Sequence, residues 1–230
     1  MTESIFKNQI LAGNGRSTAD RACSTIHEAI IEGILKPGER LVEAKIAKEL
    51  GISITPIRQA FSVLANQGLL TVFPYKGTYV TILTKELIDD LKFARLNLEN
   101  LAIGKAFPNI VAADAKQLRN FCKLSDFHFQ NNELAQAIYY DLQLHEFFIC
   151  KSQSPILLEM WTMLKPRIEY YQTLSKAGTQ DENYMQWRHM EIVKAVENMD
   201  FQMLQTAMRS HLETSFQIIN FPYTADIVYK

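Results

Sequence analysis

The chain has 230 residues, room for about two domains at one per ~100–200 residues, each able to bury its own core. Apolar residues at 47% and charged residues at 21% exclude a disordered chain or a fibrous repeat. A net charge of −1 excludes nucleic-acid binding through a global field, so any such affinity has to come from a local patch.

Residues 1–17 contain Gly13, Asn14, Gly15 and Ser17 with little periodicity and read as an N-terminal arm. From Thr18, Ala22, Ile26, Ala29, Ile30 and Ile34 recur at helical spacing, and Gly33 with Lys36-Pro37-Gly38 closes this first helix. Leu41 and Val42 lead into a second, carrying Ala44, Ile46, Ala47 and Leu50 and stopped by Gly51. Ser53 or Thr55 can cap the third, with Pro56 in its first turn and Ile57, Ala60, Phe61 and Leu64 on its apolar face. The period then switches. Leu69–Phe73 and Thr78–Ile82 are β-branched and aromatic runs around Pro74-Tyr75-Lys76-Gly77, the pattern of a β-hairpin. Three helices and a hairpin make a winged helix-turn-helix over 18–82.

Beyond Thr84 the pattern is helical, with breaks near Pro108, at Asn131-Asn132, at Ser152–Pro155, around Gly178–Asp181 and at Asp200, which gives six helices. Asp114 with Gln117 reads as a capping box and Ser154-Pro155 as an N-cap with proline at the first helical position. The fold class is therefore mainly α: the winged domain, an all-helical bundle over 83–220, and a tail over 221–230. No run approaches the ~20 apolar residues of a membrane span and the start lacks a signal-peptide core, so a cytoplasmic location is expected. Cys23, Cys122 and Cys150 are odd in number and unpaired in spacing, against a disulfide framework or thiolate metal site, and read as buried small residues. The bundle's aromatic stripes, Tyr139, Tyr140, Phe147 and Phe148 among them, read as core, with one or two able to floor a pocket.

A helix entering the major groove offers its first turns to base edges, so polar and cationic side chains are wanted there; here these are Ser53, Thr55, Arg58 and Gln59. Arg58 suits a bidentate contact to guanine or a phosphate contact. Arg40 suits a backbone clamp, and Lys76 with Gly77 at the hairpin tip suits the minor groove or phosphates. The segments Ile31–Leu41, Ile46–Ser53, Thr55–Ala60, Leu64, Gly68-Leu69 and Lys76–Val80 resemble, in order, the winged helix domain of the GntR family. The resemblance implies operator DNA as partner and wing-tip contacts to it. It also exposes a departure, Ile54, where the family usually carries a basic residue, so the family's usual operator is not to be assumed.

In the bundle, Asp141 and His145 are four apart and share a helical face, while His189 and His211 stand on the last two helices, 22 apart. An antiparallel pair brings both inward. This Asp-x-x-x-His with a later His pair resembles the metal-binding variant of the FCD effector domain, partner of the FadR-type branch of GntR regulators; six helices fit its VanR-like subgroup. The resemblance implies a divalent ion on Asp141, His145, His189 and His211, and the donor set suits zinc, nickel, manganese or iron. It implies pocket roles for Arg95 and Arg167 toward an effector carboxylate, against the alternative of ordinary ion pairs. The expected whole is a homodimer on a pseudo-palindromic operator, a repressor or activator controlled by a small organic acid, with no membrane partner. The competing reading is a metalloenzyme activating water at the same four residues; it lacks a His-Glu-x-x-His helix, and Glu191, two after His189, should face away. A third is a DNA-binding scaffold with an unfilled pocket, which leaves those four residues unexplained.

Overall fold

The computed structural model describes residues 17–176 and 186–216. The arm up to residue 16, the expected break at Gly178–Asp181 and the tail over 221–230 lie outside them. The chain divides after Thr84 into two compact units.

In the first unit, α1 (Thr18–Ile31) starts on a capping box in which Ser17 accepts from Asp20 N and Asp20 accepts from Ser17 N. The helix stops sooner than its apolar repeat implies, at Ile31, and Ile34 is exposed beyond it. Helix α2 (Glu43–Leu50) ends at Gly51, whose φ of 67° is the left-handed C-cap that glycine adopts without a Cβ penalty. Helix α3 (Ile54–Asn66) begins after Ser53, which makes no side-chain cap bond. Ile26 and Ile30 of α1, Ile57 and Leu64 of α3, and Leu35 are at most 1% exposed, so the two helices close the core between them. The hairpin strands are β2 (Leu70–Phe73) and β3 (Gly77–Val80). A further strand, β1 (Arg40–Leu41), pairs antiparallel with β3, placing Arg40 opposite Tyr79. The sheet order is β1-β3-β2.

The second unit holds six α-helices among the described residues: α4 (Lys85–Ala106), α5 (Ala115–Gln130), α6 (Leu134–Lys151), α7 (Pro155–Lys176), α8 (Gln186–Glu197) and α9 (Phe201–Ser215). Helix α6 lies against α4, α5 and α7, and α9 against α4 and α8. Its core gathers Ile103, Leu118, Leu144, Phe148, Ile192, Val196 and Leu204. Three expectations need correction. Asp114 does not cap α5; its carboxylate turns back to accept from Val111 N and Lys151 Nζ, a charged partner that outcompetes a neutral cap. Tyr139 is 47% exposed and only Phe147 and Phe148 of the aromatic stripe are buried. Of the cysteines, Cys122 is buried, Cys23 half-buried and Cys150 exposed, all as free thiols.

Candidate functional site

The first unit offers an exposed, largely polar face on α3. Because Ile57, Ala60, Phe61 and Leu64 turn inward, the 3.6-residue repeat leaves Ser53, Ile54, Thr55, Arg58 and Gln59 exposed along the front of α3. Ile54 is itself 43% exposed. Arg58 is held in place by Glu43 of α2, whose Oε2 accepts from Arg58 Nε at 3.2 Å and Nη2 at 3.1 Å. Glu43 was not legible as a partner, since the pairing spans fifteen positions.

At the hairpin tip Lys76 is exposed and Tyr75 fully so, the latter with φ 63°. Gly77 has φ 119°, and a Cβ there would stand 3.0 Å from Arg40 Nε and 3.4 Å from its Nη2. Strand β1 thus lays the Arg40 guanidinium across the glycine, joining two residues read separately in the sequence into one basic tip with Lys76.

The second unit brings Asp141, His145, His189 and His211 together. Each is buried, and one ligand atom from each lies within 4.8 Å of all the others. Donors at about 2.0–2.2 Å from one ion stand at most about 4.4 Å apart, so shifts of a few tenths of an ångström complete the fit. The hydrogen bonding fits as well. His145 Nδ1 donates to Glu99 Oε2 at 2.6 Å, which leaves Nε2 as the lone-pair nitrogen, and this lies 3.1 Å from His211 Nε2. His189 Nε2 is 3.0 Å from Asp141 Oδ1 but is not aligned to donate to it. His211 Nδ1 is buried with no hydrogen-bond partner among the described residues. Gln172 Nε2 donates to Asp141 Oδ2 at 2.6 Å and fixes the carboxylate.

Burial pulls the His145 imidazole below its ordinary value, and burial together with His189 and His145 pulls His211 well below it. Both are neutral at pH 7, the form a metal requires. Burial pushes the Glu99 carboxyl up, but His145 and Arg95 outweigh it and hold the group below the usual carboxylate range. Asp126 on α5 is raised by its burial, with His189 opposing.

Of the two arginines expected at the pocket, Arg95 is buried beside the cluster, its Nε donating to Glu99 Oε1 at 2.6 Å while Nη1 and Nη2 have no partner among the described residues. Arg167 is exposed on α7. Glu191 is also exposed, paired with Lys194 at 2.7 Å, so it is no general base for the cluster. A groove of about 520 Å³ between α4 and α9, lined by Phe93, Asn97, Asn100, Gln205 and Arg209 among others, includes none of the cluster residues. Glu99 and Gln172, which hydrogen-bond to His145 and Asp141 of the cluster, were not singled out in the sequence. For Glu99 a signal existed: Ile88, Leu91, Arg95, Leu98, Glu99, Ala102 and Ala106 form the buried stripe of α4, and two charges within such a stripe need partners.

Known proteins agree with this architecture. Residues 18–80 match the family model for bacterial regulatory proteins of the gntR family and residues 90–214 match that of the FCD domain. The HTH-type transcriptional regulator McbR of Escherichia coli K12 is 30% identical over 159 residues, 66% of this chain and 72% of that protein. The gluconate operon transcriptional repressor of Bacillus licheniformis is 24% identical over 205 residues, 86% of this chain and 83% of its own. Among solved structures, E. coli McbR/YncC superposes with a TM-score of 0.72 at 22% identity, covering 86% of this chain and 95% of the other. A GntR regulator from Rhodococcus sp. RHA1 reaches 0.76 at 20% identity, covering 91% and 100%. No helix among the described residues is long and apolar enough to cross a membrane. The chain belongs to the GntR family of bacterial regulatory proteins: it is a transcriptional regulator, not an enzyme, joining a helix-turn-helix reading head to an FCD domain.

Proposed function

We propose that the chain is a homodimeric repressor, released from its operator by a small carboxylate that binds beside a divalent metal ion. Ser53, Thr55, Arg58 and Gln59 read base edges in the major groove, while Arg40, Lys76 and Gly77 approach phosphates or the minor groove. Asp141, His145, His189 and His211 hold the ion, which supplies a Lewis-acidic centre with open positions. Zinc, nickel, manganese and iron all suit three imidazoles and a carboxylate. Arg95 supplies the anion anchor; Arg167, exposed on α7, is not required. Six helices in the second unit favour the VanR-like arrangement.

The observation that carries this reading is the four buried donors standing beside a buried guanidinium with unpartnered N–H groups. Charge supports it. With neutral imidazoles, Arg95, Glu99 and Asp141 sum to one negative charge, and a divalent ion converts that to one positive charge, which a monocarboxylate neutralises. Release follows if the effector binds the DNA-free arrangement more tightly than the DNA-competent one.

The test is elemental analysis of the purified full-length chain beside His189→Ala with His211→Ala, followed by operator titration with and without carboxylates. Metal in the native chain, its loss in the variant, and carboxylate-driven release only when metal is present are expected. Equal metal content in both proteins, or release indifferent to metal, refutes the reading.

A further inference from the structure

We propose that Glu99 is the positioning residue that couples the two halves of this site, orienting His145 toward the metal ion and Arg95 toward the anion. The inference rests on the metal-and-carboxylate reading above and adds the residue that makes the two bind cooperatively.

Both carboxylate oxygens are committed, each at 2.6 Å: Oε2 accepts from His145 Nδ1 and Oε1 from Arg95 Nε. All three side chains are buried to at least 98%. The first bond selects one tautomer. A neutral imidazole has one N–H and one lone pair, so with Nδ1 donating, Nε2 is the ligand nitrogen, and its ring cannot rotate away without breaking a bond to a charged acceptor.

The second bond is side-on. A carboxylate gripping the guanidinium fork from its end would occupy both Nη atoms, whereas a grip through Nε leaves their N–H groups unspent. Both Nη atoms are buried without partners among the described residues, a geometry that suits a second, incoming carboxylate. Asp141 cannot take over this role, since Gln172 and His189 stand at its two oxygens.

Stability alone is a poor reason for such an arrangement. A buried ion pair loses solvation that its mutual attraction often fails to return, and apolar residues of similar volume would serve the core as well. What an apolar residue lacks is a link between the two ends. A cation on His145 Nε2 polarises Nδ1–H toward Glu99 and draws on its negative charge, leaving the Arg95 fork a stronger anion donor. By linkage, an anion on Arg95 tightens the metal by the same factor.

The experiment uses the full-length chain, with zinc affinity measured by competition against a chromophoric chelator, with and without acetate as the probe anion. In Glu99→Gln the amide oxygen can serve His145 or Arg95 but not both. Zinc affinity is expected to fall about 10–100-fold, as for other residues that hold a ligating histidine, and the tightening by acetate seen in the native chain is lost. In a His145→Ala background the same change has little further effect, because Glu99 acts through His145. If Glu99→Gln does not fold, as judged by circular dichroism, Glu99→Asp draws the carboxylate back from both partners and is expected to act in the same direction. Native zinc affinity in both Glu99 variants, or an equal loss with and without His145, overturns the proposal. A native chain that takes up no zinc removes the underlying reading and the proposal with it, whereas zinc bound tightly and independently of acetate removes the coupling alone.

Discussion

Replacing Arg58 by alanine tests whether the exposed front of α3 reads sequence. The side chain is 71% exposed and its ion-pair partner among the described residues, Glu43, is 33% exposed, so breaking that pair costs about 0.2–1 kcal/mol and the fold survives. If the guanidinium spans a guanine edge, its loss removes roughly 1–3 kcal/mol of discrimination, about 5- to 150-fold in affinity for each reading head engaged. If it holds a phosphate, every duplex weakens alike and the slope of log affinity against log salt shrinks by about 0.9. The assay is fluorescence anisotropy on an operator recovered by selecting bound genomic fragments, with random duplex as competitor, at several salt concentrations. We expect the specific complex to weaken while the random one changes little. Operator affinity within twofold of the native value in a variant of unchanged melting temperature refutes the placement of α3 in the groove.

Two further outcomes follow from local geometry and charge. Gly77→Ala forces φ 119° on a residue with a Cβ and presses it to 3.0 Å from Arg40 Nε, so chemical denaturation should show a loss of about 1–3 kcal/mol and binding to all duplexes should weaken; a variant of native stability would show that the tip relaxes freely. The imidazoles of His145 and His211, depressed by burial, refuse protons that the unfolded chain accepts below about pH 6.5, so the metal-free protein should be most stable above that pH and lose stability as it falls. Glu99, held low, adds a loss of the same sign nearer its unfolded value, below about pH 4.5. Melting temperatures at pH 7.5, 6.5 and 5.5 test this, with His211→Phe expected to flatten the curve; a melting temperature that rises on acidification contradicts it.

The exposed face of α3 was readable because one period governs it. Knowing that Ile57, Ala60, Phe61 and Leu64 turn inward fixes Arg58 and Gln59 as outward, with no long-range information. That Asp141 and His145 share a face was readable for the same reason, one turn apart on α6, and the structure gathers them with His189 and His211 of the last two helices into one buried cluster. What escaped depends on pairings between distant positions. Glu99 meets His145 across 46 positions and Gln172 meets Asp141 across 31, distances over which a sequence carries no geometric phase. Strand β1 escaped because two residues show no alternation, and Asp114 because its lysine partner comes from another helix. Arg167 was placed by resemblance alone, which carries no information about burial, and the side chain is exposed on α7.

The pairing of β1 with β3 bears on how specificity could be transplanted. Gly38 N donates to Val80 O and Val80 N to Glu39 O, so the segment that launches α2 is stitched to the hairpin that follows α3 in the chain. A chimera that swaps α3 alone would seat a foreign helix against a tip built for another. The smallest exchangeable cassette runs from Gly38 to Thr81, with both halves of that stitching carried across together.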